Sequence, residues 1–274
     1  MNKTNTIHSA ASFENQEGHP LINYLLHLAD DALILGHRNS EWCGHGPVLE
    51  LDIAITNIAL DLLGQARNFY QYAAGQLNKE NETGEVTEDT LAYWRNARAF
   101  KNCVLVELPK GDWGVTVMRQ FFYSTYQYYL YQQLVHSKDA GVAAISAKAL
   151  KEVTYHVRWS SEWIIRLGKG TEESHARMIN AVNNLENYTQ ELFVPAGYEA
   201  FAAAGGYGTD VATLYKPWLQ KVTEIFGRAS LDETLPFEHT GTLPLGKEGQ
   251  HTGYLDEILT DLQFLQRKYP GAAW

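Results

Sequence analysis

Residues 48–77 read VLELDIAITNIALDLLGQARNFYQYAAGQL, a long run whose apolar side chains recur every three or four positions. This spacing predicts a helix with apolar residues around most of its circumference. A helix of that kind is buried among neighbouring helices. We therefore expect these residues to form the central helix of a helical bundle.

Helical periodicity continues on both sides of this segment. Thr87, Asp112 and Thr171 precede three of the periodic segments as candidate N-caps. The other predicted helices cover residues 21–44, 88–108, 113–137, 139–168, 170–193, 211–227 and 253–268. The sequence thus predicts an all-α fold, a bundle with accessory helices, in a single domain over residues 19–274. Residues 1–18 are polar and small, which predicts a flexible N-terminal tail.

The composition argues against several classes of function. The chain has 274 residues and a formal net charge of −10, and this negative field disfavours binding to nucleic acid. It lacks an apolar run of about 18 residues and a signal-peptide pattern, so we expect neither a membrane span nor secretion. Its two cysteines, Cys43 and Cys103, are too few for a disulfide framework. These features predict a cytoplasmic protein with reduced thiols.

A bundle of long helices raises the question of a carboxylate-bridged di-iron centre. Such a centre takes one Glu from each of two helices and a Glu-x-x-His motif from each of the other two. The fourth predicted helix has no Asp or Glu between Trp113 and His136. In the fifth, Tyr155 stands three residues after Glu152, where the motif needs His. His156 comes one residue later, about 100° further round the helix, so the predicted site is incomplete.

The candidates for a degenerate metal site are Glu41, Asp61, Glu152 and His156. We predict that none binds a metal, because two of the expected histidines and at least one carboxylate are missing. The alternative is that Glu152 and His156, at i and i+4, share a helix face and hold one ion with outside help. A Glu-x-x-His motif does occur at Glu172 and His175, but it opens a helix and is better explained by N-terminal capping.

A polar stripe runs along the most apolar predicted helix, where Asn57, Asp61 and Gln65 recur every four residues. Buried polar groups need partners, and a bare buried Asp is costly. We predict a structural network of hydrogen bonds or ion pairs at this stripe, with Arg38 as a candidate partner. Lys or Arg can supply there the positive charge that iron would supply in a metal site.

One basic cluster interrupts the acidic sequence. Arg95, Arg98 and Lys101 are spaced at i, i+3 and i+6, and Asn102 follows them. The first interpretation is a solvated helix face with charged partners. The second is a site for phosphate groups, such as those of a coenzyme, or for an acidic partner.

Three long motifs carry a resemblance to a known family. They are SEWCGHGPVLELDIAITNIALDLLGQARNFYQYAA at 40–74, AAISAKALKEVTYHVRWSSEWIIRLGKGTEES at 143–174 and LQFLQRKYPGAAW at 262–274. Over roughly residues 20–274 the chain resembles the C subunits of bacterial phenylacetyl-CoA epoxidases, which act in aerobic phenylacetate degradation. The N-terminal tail and the Gly-rich residues near 205 depart from the pattern.

The resemblance implies a ferritin-like four-helix bundle with accessory helices. It implies that a separate A subunit carries the di-iron centre, and that this chain binds no cofactor and supports the A subunit structurally. It also implies that residues matching Ala99, Phe100, Lys101 and Asn102 lie close to the coenzyme A thioester.

These inferences lead to one main hypothesis, a non-catalytic structural subunit of the epoxidase complex. Its expected partners are the A subunit, the other subunits of the complex and phenylacetyl-CoA, and we expect a homodimer when the A subunit is absent. One alternative is a di-iron oxygenase in its own right. The other is a helical scaffold protein unrelated to this pathway.

Overall fold

The computed structural model describes residues 19–80, 86–237, 242–270 and 272; the tail predicted for residues 1–18 lies outside this range. Its helices are α1 (Pro20–Ser40), α2 (Leu49–Glu80), α3 (Glu88–Tyr93), α4 (Val104–Glu107), α5 (Trp113–Leu134), α6 (Ala140–Gly168), α7 (Glu172–Thr189), α8 (Gly197–Gly205), α9 (Tyr215–Ala229) and α10 (Gly253–Lys268). Across these described ranges no strand forms. The all-α prediction is therefore confirmed.

The four long helices α1, α2, α5 and α6 form the bundle. α1 packs along α2, α5 packs along α6, and α2 also contacts α6. The accessory helices cover the outside: α7 and α9 lie on α5 and α6, while α8 lies on α1. α10 packs against α3 and α4. This arrangement agrees with the ferritin-like bundle that the resemblance implies.

Local capping signals set where several helices begin. The side chains of Thr87, Asp112 and Thr171 each accept a backbone N–H at the start of α3, α5 and α7. Such caps satisfy amide groups that have no partner within the helix. The three caps predicted from the sequence are confirmed. Among the described helices, none is long and apolar enough to cross a membrane.

The prediction of one continuous helix over residues 88–108 is wrong. α3 ends at Tyr93, a short 3-10 turn covers Ala97–Ala99, and α4 begins only at Val104. The cause is the buried Arg95, whose Nε donates to the Leu91 carbonyl at 2.6 Å and whose Nη1 donates to the Ala99 carbonyl at 2.9 Å. The guanidinium thus donates hydrogen bonds to carbonyl groups on both sides of the break, and the helix does not continue past Tyr93.

Candidate functional site

The first polar group inside the bundle lies between α2, α5 and α6. We call it the bundle centre, and it consists of Gln65 on α2, Gln127 and Tyr131 on α5, and Glu152 on α6. Gln65 Nε2 donates to Glu152 Oε2 at 2.9 Å. Gln127 Nε2 and Tyr131 Oη each lie 3.5 Å from Gln65 Oε1. The centre therefore joins three helices through amide and phenol groups.

Tyr131 stays neutral in this setting. Burial raises the pKa of its phenol above the ordinary value, and the nearby charges of Asp31 and Glu152 raise it further. Gln65 and Gln127 carry no charge at any pH. Glu152 is thus the one carboxylate at the bundle centre.

A second polar contact joins α2 and α6, two of the three helices that meet at the bundle centre. His156 is fully buried, and its Nε2 lies 3.0 Å from Asp61 Oδ2. The side chain of Asp61 is 36% exposed, so water reaches this pair from one side. Asp61 therefore has a partner within the structure, as the polar stripe predicted.

The partner is not the one that we expected from the sequence. Arg38 donates to Glu41 Oε1 at 2.6 Å and to the Glu107 carbonyl at 2.8 and 3.1 Å. The prediction that Arg38 pairs with the α2 stripe is wrong, because the end of α1 directs this guanidinium toward α4. Glu41, bound to Arg38, is likewise separated from the Asp61–His156 and Gln65–Glu152 contacts.

The residues at the bundle centre do not fit a di-iron centre. Such a centre needs carboxylates from all four helices and two histidines, whereas α5 offers only an amide and a phenol here. No group of three or more His, Cys, Asp and Glu side chains is placed to hold a metal in the part of the chain that the structure describes. At the other candidate motif, His175 Nδ1 bonds the Gly168 carbonyl at 2.7 Å beside the Thr171 cap.

The second polar group inside the bundle is ionic and is built on α1. Asp30 is fully buried and accepts hydrogen bonds from both terminal nitrogens of Arg95 and from the Tyr70 hydroxyl. It also accepts the Lys101 backbone N–H at 2.8 Å. The neighbouring Asp31 accepts the Cys103 N–H at 2.7 Å. The two carboxylates, which we call the α1 anchor, fix the backbone that follows the 3-10 turn.

We call residues 99–103 the anchored segment. Two histidines bind its carbonyls from opposite ends of the sequence: His27 Nδ1 lies 2.8 Å from the Lys101 carbonyl, and His251 Nε2 lies 3.0 Å from the Phe100 carbonyl. Asn102 donates through Nδ2 to Glu107 Oε2 at 2.8 Å. The segment has no regular secondary structure after Ala99, yet these backbone polar groups have partners.

Further buried charges hold the elements around this segment. Glu107 also accepts from the Thr252 N–H at 2.6 Å. Lys247 Nζ lies 3.0 Å from Glu199 Oε2, and both side chains are buried. Burial alone would raise the pKa of Glu199, but Lys247 and then His27 outweigh it and lower that pKa to about 2. A lysine therefore supplies positive charge inside the protein, although beside α1 and α8 rather than along the α2 stripe.

The four residues predicted to lie near a thioester are all in this segment. Phe100 and Asn102 are fully buried, and Ala99 and Lys101 are half-buried. The ammonium of Lys101 lies 5.2 Å from the centre of the Tyr198 ring. The wider basic cluster does not share one face, because Arg95 is buried against Asp30 while Arg98 is exposed.

Sequence reasoning missed the residues that fix this segment. One signal in the sequence could have indicated them. His27, Asp30 and Asp31 are ionisable side chains within the otherwise apolar α1, and such side chains need buried partners. The Glu-x-x-His spacing of Glu248 and His251 also draws attention to His251. However, the structure pairs His251 with Glu107, at 2.7 Å, and this long-range contact has no sequence signature.

Comparison with known proteins agrees with this architecture. Residues 1–274 match the family model described as phenylacetic acid catabolic protein. The chain is 43% identical over 257 residues to the C subunit of the 1,2-phenylacetyl-CoA epoxidase of Escherichia coli (strain K12). That alignment covers 93% of this chain and 99% of the relative. This chain therefore belongs to the phenylacetic acid catabolic protein family.

Proposed function

We propose that this chain is a non-catalytic, structural subunit of a cytoplasmic phenylacetyl-CoA epoxidase and acts in phenylacetate catabolism. In this proposal residues 19–274 form one domain that supports a separate catalytic A subunit, which carries the di-iron centre. The similarity to the C subunit of the Escherichia coli epoxidase supports the pathway and the complex.

The observation that carries the non-catalytic role is the donor set at the bundle centre. A di-iron site needs carboxylates that converge from four helices. At that position α2 and α5 present Gln65, Gln127 and Tyr131, and only Glu152 is a carboxylate. The amide contacts join the helices and give the bundle a structural core in place of a redox site.

An exposed apolar stripe on α2 is the surface that we propose for the A subunit. Leu49, Ile53 and Leu60 are 71%, 52% and 60% exposed, and their spacing of four and seven places them on one side of the helix. Tyr155 on α6 is 38% exposed and is adjacent to His156, which bonds across to α2. Exposed apolar patches of this kind mark protein interfaces. Without its partner, we expect the stripe to promote a homodimer.

The anchored segment is the part that we propose to lie close to phenylacetyl-CoA. Its backbone is held by buried partners, while the Lys101 side chain is half-buried. A lysine ammonium is a suitable partner for phosphate or thioester oxygens.

The test is iron analysis of the purified chain, alone and with the A subunit, after anaerobic loading with ferrous iron. We expect near-zero iron in the isolated chain. In the mixture we expect about two irons per catalytic centre, together with epoxidase activity. Stoichiometric iron in the isolated chain would contradict the proposal and would make Glu152 and His156 the first residues to replace.

The interface is tested separately by co-purification. Leu60→Asp places a charge in the apolar stripe of α2, and we expect it to weaken retention of the A subunit. Phe264→Asp is the matched control, since Phe264 is 53% exposed but lies on α10. Equal retention by both variants would exclude the α2 stripe as the contact surface.

A further inference from the structure

His251 faces hydrogen-bond acceptors at both of its ring nitrogens. Nδ1 lies 2.7 Å from Glu107 Oε2, and Nε2 lies 3.0 Å from the Phe100 carbonyl oxygen. A neutral imidazole carries one N–H and one lone pair, so it cannot donate to two acceptors. Only the imidazolium form, in which both nitrogens carry a hydrogen, satisfies both contacts.

His27 contacts the next carbonyl of the segment, and only acceptor groups lie near its two ring nitrogens. Its Nδ1 bonds the Lys101 carbonyl at 2.8 Å. Its Nε2 faces two carboxylates, Glu199 Oε1 at 3.4 Å and Asp31 Oδ2 at 3.7 Å. Since all of these are acceptors, the arrangement again matches a protonated ring.

We propose that His27 and His251 act as positioning residues: as imidazolium cations they hold the consecutive carbonyls of Phe100 and Lys101, and so set the position of the anchored segment. The link to substrate rests on the proposed function, in which this segment lies near phenylacetyl-CoA. The link to backbone position rests on the contacts alone. A charged donor forms a shorter and stronger hydrogen bond to a carbonyl than a neutral donor does.

The charges around each ring favour the protonated form. At His251, burial would lower the pKa, but the hydrogen bond and charge of Glu107 outweigh it, and Phe100 and Asp30 add to the rise. At His27, burial would again lower the pKa. There the carboxylates of Asp31 and Glu199 outweigh both burial and the opposing charge of Lys247, and raise it.

The sign of the pH dependence follows from these raised pKa values. Each imidazolium contributes fully below the ordinary histidine pKa of about 6.5. Its contribution is lost as the pH rises through the raised pKa of the folded protein. We therefore expect the anchored segment to loosen as the pH rises above about 6.5 and through the raised pKa values, while the surrounding helices remain folded.

The first test needs no substrate and no variant. Hydrogen exchange of the Lys101 and Cys103 amides reports directly on the segment, because these amides are donated to Asp30 and Asp31. For each unit by which a folded histidine pKa exceeds the ordinary value, we expect their protection factors to fall about tenfold across the titration. Nitrogen-15 spectra should show both rings protonated at pH 6, and the α2 amide of Ile58 serves as the reference for global unfolding.

Variants separate the proposal from a general loss of stability. In His251→Gln the amide keeps a donor near the Phe100 carbonyl but does not titrate, and in His27→Asn the amide does the same for the Lys101 carbonyl. We expect each variant to remove the part of the pH dependence of the Lys101 and Cys103 protection factors that comes from the histidine it replaces. His175→Gln is the control, since His175 bonds the Gly168 carbonyl, far from the anchored segment in the sequence. Protection factors that do not change from pH 6 to 9 in the unmodified chain would overturn the proposal.

The substrate link is tested in the complex reconstituted with the A subunit. We expect the KM for phenylacetyl-CoA to rise over the same pH range, in inverse proportion to the fraction of molecules whose anchored segment stays in position, with a smaller change in kcat. His251→Gln should flatten that rise. If exchange shows a substantially populated open segment at high pH but KM does not rise, the positioning role stands, and the proposed contact between this segment and the thioester is excluded.

Discussion

The bundle centre and the α1 anchor are two polar groups inside the same four helices, and they differ in charge. The centre joins α2, α5 and α6 through Gln65, which contacts the amide of Gln127, the phenol of Tyr131 and a single half-buried carboxylate, Glu152. The anchor consists of Asp30 and Asp31, which are fully buried and are matched by Arg95, by His27 and by backbone amides of the anchored segment. The comparison shows that the buried ion pairs of this bundle hold the anchored segment in place. The bundle centre, in contrast, relies mainly on amide and phenol groups.

The α1 anchor and the bundle centre should also differ in how much they contribute to the free energy of unfolding. A hydrogen bond between neutral groups contributes about 1 kcal/mol net, and one to a charged group contributes about 1.5–3 kcal/mol. Removing one partner of a buried ion pair costs about 3–5 kcal/mol, because the other charge is left without compensation. Substitutions at the anchor should therefore destabilise the chain more than substitutions at the centre.

Arg95→Met should have the largest effect. It leaves the Asp30 carboxylate buried with one cationic partner fewer, and we expect the free energy of unfolding to fall by about 3–5 kcal/mol in a urea titration. Arg67→Met is the control, because Arg67 pairs with Glu88 at 3.3 Å but its side chain is 68% exposed. We expect that control to cost less than about 1 kcal/mol. Equal losses would break the contrast between buried and exposed pairs.

Glu199→Gln should have the next largest effect, with a distinct pH dependence. The folded pKa of Glu199 is lowered to about 2, so its contribution is present above the ordinary value and is lost as the pH falls toward 2. We expect the variant to lose about 2–3 kcal/mol at pH 7 and to approach the unmodified chain near pH 2.

Glu224→Gln provides the comparison for Glu199. Glu224 also has a lowered pKa, from its hydrogen bond to Lys221 and the nearby Arg228. It is exposed, however, so solvent screens these interactions, and we expect less than about 1 kcal/mol. A variant of Glu224 that matched Glu199→Gln in acid unfolding would mean that burial does not set the size of the effect.

Gln65→Met should have the smallest effect of the buried positions. It removes the donor to Glu152 at the bundle centre, but Glu152 is half-buried and water can replace the lost contact. We expect a loss of about 1–2 kcal/mol, measured by urea unfolding, because the acceptor is charged but accessible to water. A loss as large as that of Arg95→Met would show that the centre, like the anchor, depends on strong electrostatics.

Sequence reasoning succeeded where the determining interactions are local. The periodicity of residues 48–77 predicted α2, and Thr87 and Asp112 were recognised as caps because each acts on an amide three residues away. The missing carboxylate on the fourth predicted helix was visible because it depends on residue type alone.

The same reasoning failed where a distant partner decides the structure. Arg95 breaks the helix expected over 88–108 because it binds Asp30, 65 residues earlier in the sequence. Arg38 contacts Glu107 across 69 residues, and nothing near Arg38 in the sequence indicates that choice. Helical periodicity predicts which side of a helix is buried, but not which buried charge will meet which partner.

The histidine contact at Phe100 also has a consequence for synthesis on the ribosome. His251 follows Phe100 by 151 residues, so at ~5–20 residues per second it emerges about 8 to 30 s later. During that interval α1 and α2 are already available to pair, while the anchored segment lacks the cation that binds the Phe100 carbonyl. The Phe100 carbonyl therefore gains its His251 partner only after α1 and α2 have been synthesised.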